Sequence, residues 1–168
     1  MTGEVLDIVN ERGEIIGYAS RAEIHRKQLL HRVVHLLIFD SAGRLLLQKR
    51  SLAKDVAPGV WDTSVGGHID RGESVDDALR REMHEELGLR DCDPEFLYTY
   101  IHTNEKESEL VYSFRCCTDE VNSFNPQEIE EIRFWNLDKI ATAIHSDIFS
   151  EHFKDEFRRY MSLMRERR

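Results

Sequence analysis

The stretch from Gly67 to Leu89 constrains the fold of this 168-residue chain more than any other segment. A loop with two glycines runs into a helix that is predicted over residues 74–87. Ser74 is a favourable N-cap residue, acidic side chains occupy the first turn, and Gly88 stands just past the end, where glycine commonly terminates helices. The segment is therefore predicted to be a loop followed by a helix with a defined start and end.

Three glutamates of this helix are grouped on one side. At 100° per residue, Glu82, Glu85 and Glu86 fall within roughly one third of the circumference. Carboxylates this close repel one another and raise each other's pKa. Ala78 and Leu79 lie beside them, which places the acids at the edge of the packed face. A hard divalent cation such as Mg²⁺ or Mn²⁺ would balance this charge, and a solvated acidic face is the alternative.

The same segment resembles the Nudix box, G-x5-E-x7-R-E-U-x-E-E-x-G-U, in which U is apolar. Every specified position is met, from Gly67 through Glu73 and Arg81-Glu82 to Gly88-Leu89. The resemblance implies a Nudix α/β/α sandwich with a mixed curved β-sheet between helices. It also implies hydrolysis, with Mg²⁺ or Mn²⁺, of the diphosphate bond in a nucleoside diphosphate linked to another moiety, or in a related compound.

The resemblance assigns roles to single residues. Metal ligands are expected at Glu82, Glu85, Glu86 and the backbone carbonyl of Gly66, whose backbone is expected to disfavour a side chain. Glu73 and Arg81 are expected to form a buried structural ion pair, and breaking such a pair costs roughly 3–5 kcal/mol. The residues expected to take part in catalysis are Glu82, Glu85, Glu86 and Glu109.

Three further segments resemble the isopentenyl-diphosphate isomerase branch of this superfamily: EIHRKQLLHRVVHLLIF, LLLQKRSLAKDVAPGVWDTSVGGH and ESELVYSF. They imply a second metal site at His25, His31, His68, Glu107 and Glu109. His25 and His31 lie on different faces of a regular helix, so they converge only if the chain bends between them. Glu107 and Glu109 share one face of a strand. Surface histidines and a solvated strand edge are the alternatives.

One position departs from the isomerase pattern. Isomerases of this branch carry a proton-transferring cysteine immediately before the Gly-His pair, and this chain has Gly66 there. Glycine offers no proton, so the resemblance favours a hydrolase. An isopentenyl-diphosphate isomerase and a non-catalytic ligand sensor of the same fold are the two alternatives.

The remaining segments are predicted to be strands and helices joined by short polar turns. A hairpin is predicted over residues 4–10 and 14–18, and a short helix, capped by Ser20, over 22–28. Strands are predicted over 32–40, 44–50, 61–65, 95–102, 110–117 and 131–137, and helices over 138–144 and 147–164. His152 falls in the apolar stripe of the last helix, and His35 is expected to be a core histidine with a polar partner. Because no repeat or linker interrupts the sequence, residues 1–168 are predicted to form one domain.

Composition narrows the classes of partner. The net charge of −9 argues against a nucleic-acid polymer or an anionic membrane as partner, and a small diphosphate is expected instead. The longest apolar run, Val33 to Phe39, is too short to cross a bilayer, and the N-terminus has no signal-peptide pattern. Cys92, Cys116 and Cys117 are expected to be reduced thiols, which favours a cytoplasmic location. A homodimer formed through the N-terminal hairpin is an open possibility.

Overall fold

A computed structural model describes residues 3–168. Within them the elements follow in this order: β1 (Val5–Val9), β2 (Ile15–Ser20), α1 (Arg21–Lys27), β3 (His31–Phe39), β4 (Leu45–Arg50), β5 (Trp61–Asp62), β6 (Val65–His68), α2 (Val75–Leu87), β7 (Glu95–Thr103), β8 (Ser108–Cys117), β9 (Ile129–Trp135), α3 (Leu137–Ala143) and α4 (Glu151–Glu166). The hairpin of β1 and β2 and the strands predicted at β3, β4, β7, β8 and β9 are confirmed, with ends that differ by a few residues.

Strand β3 is the centre of a mixed sheet. It pairs in parallel with β8 from His31↔Glu109 to Phe39↔Cys117, and antiparallel with β6 on its other edge. It meets β4 only at Phe39↔Leu45, and β4 pairs instead with β5 and β9. The sheet therefore opens between β6 and β4.

The two faces of the sheet carry separate cores, because side chains alternate along β3. Val34, Leu36 and Ile38 pack on the side of α2, where Leu79 and Met83 are buried. Leu37 and Phe39 pack on the other side against the phenylalanines of α4, Phe153 and Phe157, and against Ile140 of α3. Helices thus cover both faces of the sheet, and the predicted α/β/α sandwich is confirmed.

The helix ends follow the predicted capping residues. Ser74 Oγ accepts a hydrogen bond from Asp77 N at 3.1 Å, and Gly88 ends α2 in the left-handed region with φ +65°. Ser20 Oγ caps α1 by accepting from Glu23 N at 3.2 Å. These helix ends could be predicted from the sequence because each capping residue satisfies backbone groups that the helix itself leaves unpaired.

Three predicted boundaries are wrong. The strand predicted over 61–65 is interrupted, with β5 at Trp61–Asp62 and β6 beginning at Val65. Gly66 and Gly67 lie in β6, paired with β3, rather than in a loop. The last helix begins at Glu151 rather than at residue 147, because Ser150 Oγ caps it by accepting from Phe153 N at 3.0 Å, and Ile148 stays 43% exposed ahead of it.

The expectation of three reduced thiols is also wrong. Cys92 and Cys116 form a disulfide with their Cα atoms 6.4 Å apart, and Cys117 is a free, exposed cysteine. Cys116 points from β8 into the core beneath α2, where the segment after α2 brings Cys92 back. Spacing along the chain gave no sign of a pair that only the fold brings together. Within residues 3–168, no helix has the length and apolar character that crossing a membrane requires.

Candidate active site

A cleft of about 960 Å³ opens where β6 and β4 diverge. Helix α2 contributes Glu82 and Glu86, β8 contributes Glu109 with Glu107 just ahead of it, and α4 contributes His152. Carboxylates outnumber the lysines and arginines that line the cleft, which are Arg21, Arg50, Lys54 and Lys106. An anionic ligand would therefore need cations to enter it.

Glu86 and Glu82 form the α2 side of the cleft. Glu86 is buried and accepts hydrogen bonds from Gly66 N at 3.1 Å and Gln48 Nε2 at 3.2 Å. Burial, followed by the charge of Glu82, raises the pKa of Glu86 well above its ordinary value. Burial also raises the pKa of Glu82 to about 7. Burial disfavours the ionised form of both carboxylates, although Arg81 contacts Glu82, and a bound cation would offset this effect.

Glu85 is placed differently from the other two glutamates. Its side chain is 53% exposed, and its contact is with Arg81 Nη1 at 3.3 Å. It is not among the lining residues of the cleft within residues 3–168. The structure therefore brings together two of the three predicted box ligands.

Glu73 and Arg81 form the expected ion pair. Arg81 donates from Nε to Glu73 Oε2 and from Nη2 to Glu73 Oε1, both at 2.9 Å. Arg81 also donates to Glu82 Oε1 at 2.7 Å and to the carbonyl of His68 at 2.9 Å, which ties α2 to β6. With 27% of the Arg81 side chain and 16% of that of Glu73 exposed, the pair is only partly buried, in contrast to the expectation.

His25, His31 and His68 converge at one end of the cleft. Each residue offers a ring nitrogen, and these atoms lie within 4.8 Å of one another. Helix α1 ends at Lys27, and Gln28 takes the left-handed conformation with φ 52°, so the chain bends between His25 and His31. This is the bend that convergence of the two histidines required.

The protonation tendencies of the three histidines differ. Burial lowers the pKa of both His25 and His31, which favours the neutral imidazole that binds metals. Burial acts to lower the pKa of His68, but a contact of 3.3 Å between its Nδ1 and Glu4 Oε2 raises the pKa above its ordinary value. His25 Nε2 and His31 Nε2 are buried and have no hydrogen-bond partner among residues 3–168. These orphaned nitrogens fit metal coordination.

Glu107, Glu109 and His152 form a second close group, with one ligand atom of each within 4.8 Å of the others. Glu109 joins the two groups, because its Oε2 lies 3.8 Å from His31 Nε2 and its Oε1 lies 3.3 Å from His152 Nδ1. Burial opposes ionisation of Glu109, but the contact with His152 holds its pKa well below the ordinary value. Burial, followed by the charge of Glu109, raises the pKa of Glu107 to about 7.

The five residues predicted for the second site therefore fall into two neighbouring groups, which the contact between Glu109 and His31 joins. Their imidazole and carboxylate donors suit Mn²⁺ or another first-row metal. His152 was not predicted as part of this group, because its spacing with Phe149, Phe153 and Phe157 placed it in an apolar stripe. A histidine inside that stripe was the one available signal.

The backbone conformation of Gly66 does not by itself disfavour a side chain, in contrast to the expectation. Gly66 is not among the described glycines with positive φ. The constraint is steric instead, because a Cβ at Gly66 would lie 3.1 Å from His35 Cδ2. His35 is the buried histidine that was predicted, and its Nδ1 lies 3.2 Å from Glu156 Oε1.

Comparisons with known proteins agree with this geometry. The family model of the NUDIX domain matches residues 29–157. The chain is 33% identical over 158 residues to Isopentenyl-diphosphate Delta-isomerase 2 of Photorhabdus laumondii, covering 90% of this chain and 89% of that protein. It is 34% identical to an uncharacterized Nudix hydrolase of Clostridium acetobutylicum, covering 95% and 85%.

A solved structure extends the likeness to the whole fold. A crystal structure of a Deinococcus radiodurans protein superposes with a TM-score of 0.81 at 27% identity, covering 93% of this chain and 98% of that one. The box residues, the sandwich and these matches lead to the same assignment. The chain belongs to the Nudix family.

Proposed function

We propose that this protein hydrolyses the diphosphate bond of a nucleoside diphosphate linked to another moiety, or of a related diphosphate compound. The observation that carries the proposal is that one cleft holds both the box carboxylates, Glu82 and Glu86, and the group around Glu109. Acids and imidazoles in this arrangement would hold cations, and cations would neutralise the negative charge by which a diphosphate repels nucleophiles. Little covalent help is needed in phosphoryl transfer, so positioning and charge neutralisation do most of the work.

Two sets of residues would hold divalent cations. We assign Mg²⁺ or Mn²⁺ to Glu82, Glu85, Glu86 and the Gly66 carbonyl. We assign a second ion to His25, His31, His68, Glu107 and Glu109, where nitrogen donors favour Mn²⁺ over Mg²⁺. Such ions neutralise phosphate charge and lower the pKa of bound water.

The protein's own side chains bind the substrate and manage the proton. Arg50, Lys54 and Lys106 line the cleft and are suited to phosphate oxygens. Arg50 is held in place by donating from Nε to the carbonyl of Val56 at 2.9 Å. The catalytic carboxylates that we propose are Glu82, Glu85, Glu86 and Glu109, one of which takes the proton of a water within ~3 Å.

Product release from a panel of diphosphates tests the proposal. The panel contains nucleoside diphosphates linked to sugars or to a second nucleoside, and isopentenyl diphosphate, each with Mg²⁺, with Mn²⁺ and with chelator. We expect metal-dependent hydrolysis that Glu86→Gln lowers by several orders of magnitude, because the variant keeps the shape and removes a charge. Near-normal activity of a folded Glu86→Gln protein at saturating metal would contradict the assignment.

Isopentenyl-diphosphate isomerisation is the second candidate. A relative at 33% identity carries that name, and the structure groups histidines and glutamates that the resemblance to that branch assigns to a metal site. Gly66 argues against it, since it supplies no acid or base. Exchange of isopentenyl-diphosphate protons with deuterated water, followed by NMR, separates the two reactions, and exchange at enzyme-like rates would favour the isomerase. A ligand sensor would bind diphosphates without releasing product.

Fewer observations support the proposals on location, domain organisation and partners. We keep the cytoplasm as the proposed location, against which the Cys92–Cys116 disulfide is the one contrary observation. We also propose one domain over residues 1–168, a small-molecule partner rather than a nucleic-acid polymer or a membrane, and a possible homodimer.

A further inference from the structure

Three imidazoles stand in a row beside the cleft, and each one is paired with a carboxylate. His35 pairs with Glu156, His152 with Glu109, and His102 with Asp155, through Nδ1 contacts of 3.2, 3.3 and 2.9 Å. Ring centroids lie 4.5 Å apart from His35 to His152 and 4.1 Å apart from His152 to His102. The proposed function uses Glu109 and leaves the pair of His35 and Glu156 without a role.

Glu156 is held as a buried anion. Its side chain has no exposed surface, and besides its contact with His35 it accepts hydrogen bonds from Tyr98 Oη at 2.6 Å and Ser113 Oγ at 2.8 Å. Burial opposes ionisation, but His35 and these donors keep the pKa of Glu156 below its ordinary value. Glu156 lies on α4 and is contacted by side chains of β3, β7 and β8. A buried carboxylate of this kind is costly to maintain, and it fixes the ring of His35.

The other end of that ring faces the cleft. His35 lines the cleft, and a Cβ at Gly66 would lie 3.4 Å from its Nε2. The hydrogen bonds among residues 3–168 engage Nδ1 of His35 and leave Nε2 available. With its Nδ1 proton donated to Glu156, the imidazole presents Nε2 as an acceptor.

The chemistry of an acceptor nitrogen selects its partner. Phosphate oxygens only accept hydrogen bonds, so an acceptor gains nothing from them, whereas water can donate. We propose that His35 is a water-positioning residue, whose Nε2 accepts a hydrogen bond from the attacking water beside Gly66 while Glu156 holds the ring. This inference rests on the proposed hydrolase function.

The hydrolysis step in which His35 positions the water needs no reactant other than that water and the diphosphate. The water oxygen forms a bond to phosphorus, and the bridging P–O bond breaks with its electron pair passing to the leaving phosphate oxygen. A cleft carboxylate takes one water proton. His35 orients the water and needs to take no proton itself.

Steady-state kinetics on four folded proteins test the proposal: wild type, His35→Phe, Glu156→Gln and the matched control His102→Phe. We expect His35→Phe to lower kcat on the order of 10–100-fold, with KM within about twofold, because the water loses its orientation. Glu156→Gln should lower kcat less. His102→Phe also removes a carboxylate-paired imidazole, but one outside the cleft lining, and should retain wild-type kcat. Melting curves of all four proteins separate loss of fold from loss of function.

Chemical rescue provides a second readout that a purely structural role would not change. His35→Ala leaves a space open to the cleft, and added imidazole should restore part of its kcat. Unchanged kcat in folded His35→Phe, a rise in KM alone, or no rescue by imidazole would each overturn the inference while leaving the hydrolase intact. If wild type hydrolyses no diphosphate, the proposed function falls, and the role of His35 falls with it.

Discussion

Replacing Glu73 by glutamine separates the structural acid of the box from the acids that are proposed as metal ligands. The change keeps the size of the side chain and one oxygen acceptor, and it removes one of the two charge-assisted hydrogen bonds with Arg81. Such a bond contributes about 1.5–3 kcal/mol. Arg81 keeps Glu82 at 2.7 Å and the His68 carbonyl at 2.9 Å, so its charge is not stranded.

The expected cost of Glu73→Gln is therefore about 2 kcal/mol, below the roughly 3–5 kcal/mol for breaking a fully buried pair. For a chain of this size that corresponds to a fall in Tm of about 4–8 °C. Glu85→Gln is the matched control, since its contact with Arg81 at 3.3 Å is half exposed and contributes well under about 1 kcal/mol.

Urea unfolding in chelator, followed by circular dichroism, measures both variants without any contribution from metal binding. We expect the midpoint to fall for Glu73→Gln and to stay near that of wild type for Glu85→Gln, with equal m-values. Equal midpoints for the two variants would refute the reasoning, because the bidentate pair would then contribute no more than an exposed contact.

Three further predictions follow from the site and the cysteines. In chelator, the free energy of unfolding should fall as pH rises from 4.5 to about 7, because Glu82 ionises later in the folded protein than in the unfolded one. Glu82→Gln should remove up to about 3 kcal/mol of that decline, and an unchanged pH dependence would contradict this. Gly66→Cys should lower hydrolysis at least as much as it adds proton exchange, because the new Cβ crowds His35. A phosphate-release assay and NMR measurement of proton exchange on the same protein test this, and retained hydrolysis would contradict it. Thiol titration of unreduced, denatured protein should find only Cys117, rising to three thiols after reduction, whereas three thiols before reduction would mean that Cys92 and Cys116 are unpaired.

The sequence predicted those parts of the fold whose causes are local. Helix α2 begins and ends as predicted because Ser74 and Gly88 act on their own neighbouring backbone. Glu73 precedes α2 and Arg81 lies eight residues later within it, so their contact is also local and could be predicted.

The parts that were missed depend on distant contacts. His152 meets Glu109 only because α4 packs across β8, and its helical spacing is equally typical of a core residue. The same is true of Cys92 and Cys116, which come together only in the folded core. Strand β6 was assigned to a loop because two glycines disfavour a strand, whereas its pairing with β3 overrides that preference.

The parallel register of β3 and β8 has a consequence for how the protein acquires its site. His31 faces Glu109 only when strands separated by 78 residues have paired, and a slip of one residue would turn Glu109 to the opposite face of the sheet. Pairing over such a distance forms slowly and is lost only when the sheet opens as a whole. An ion bound between these strands would thus stabilise the protein against global unfolding rather than against local fraying, and the stabilisation would grow with the metal concentration.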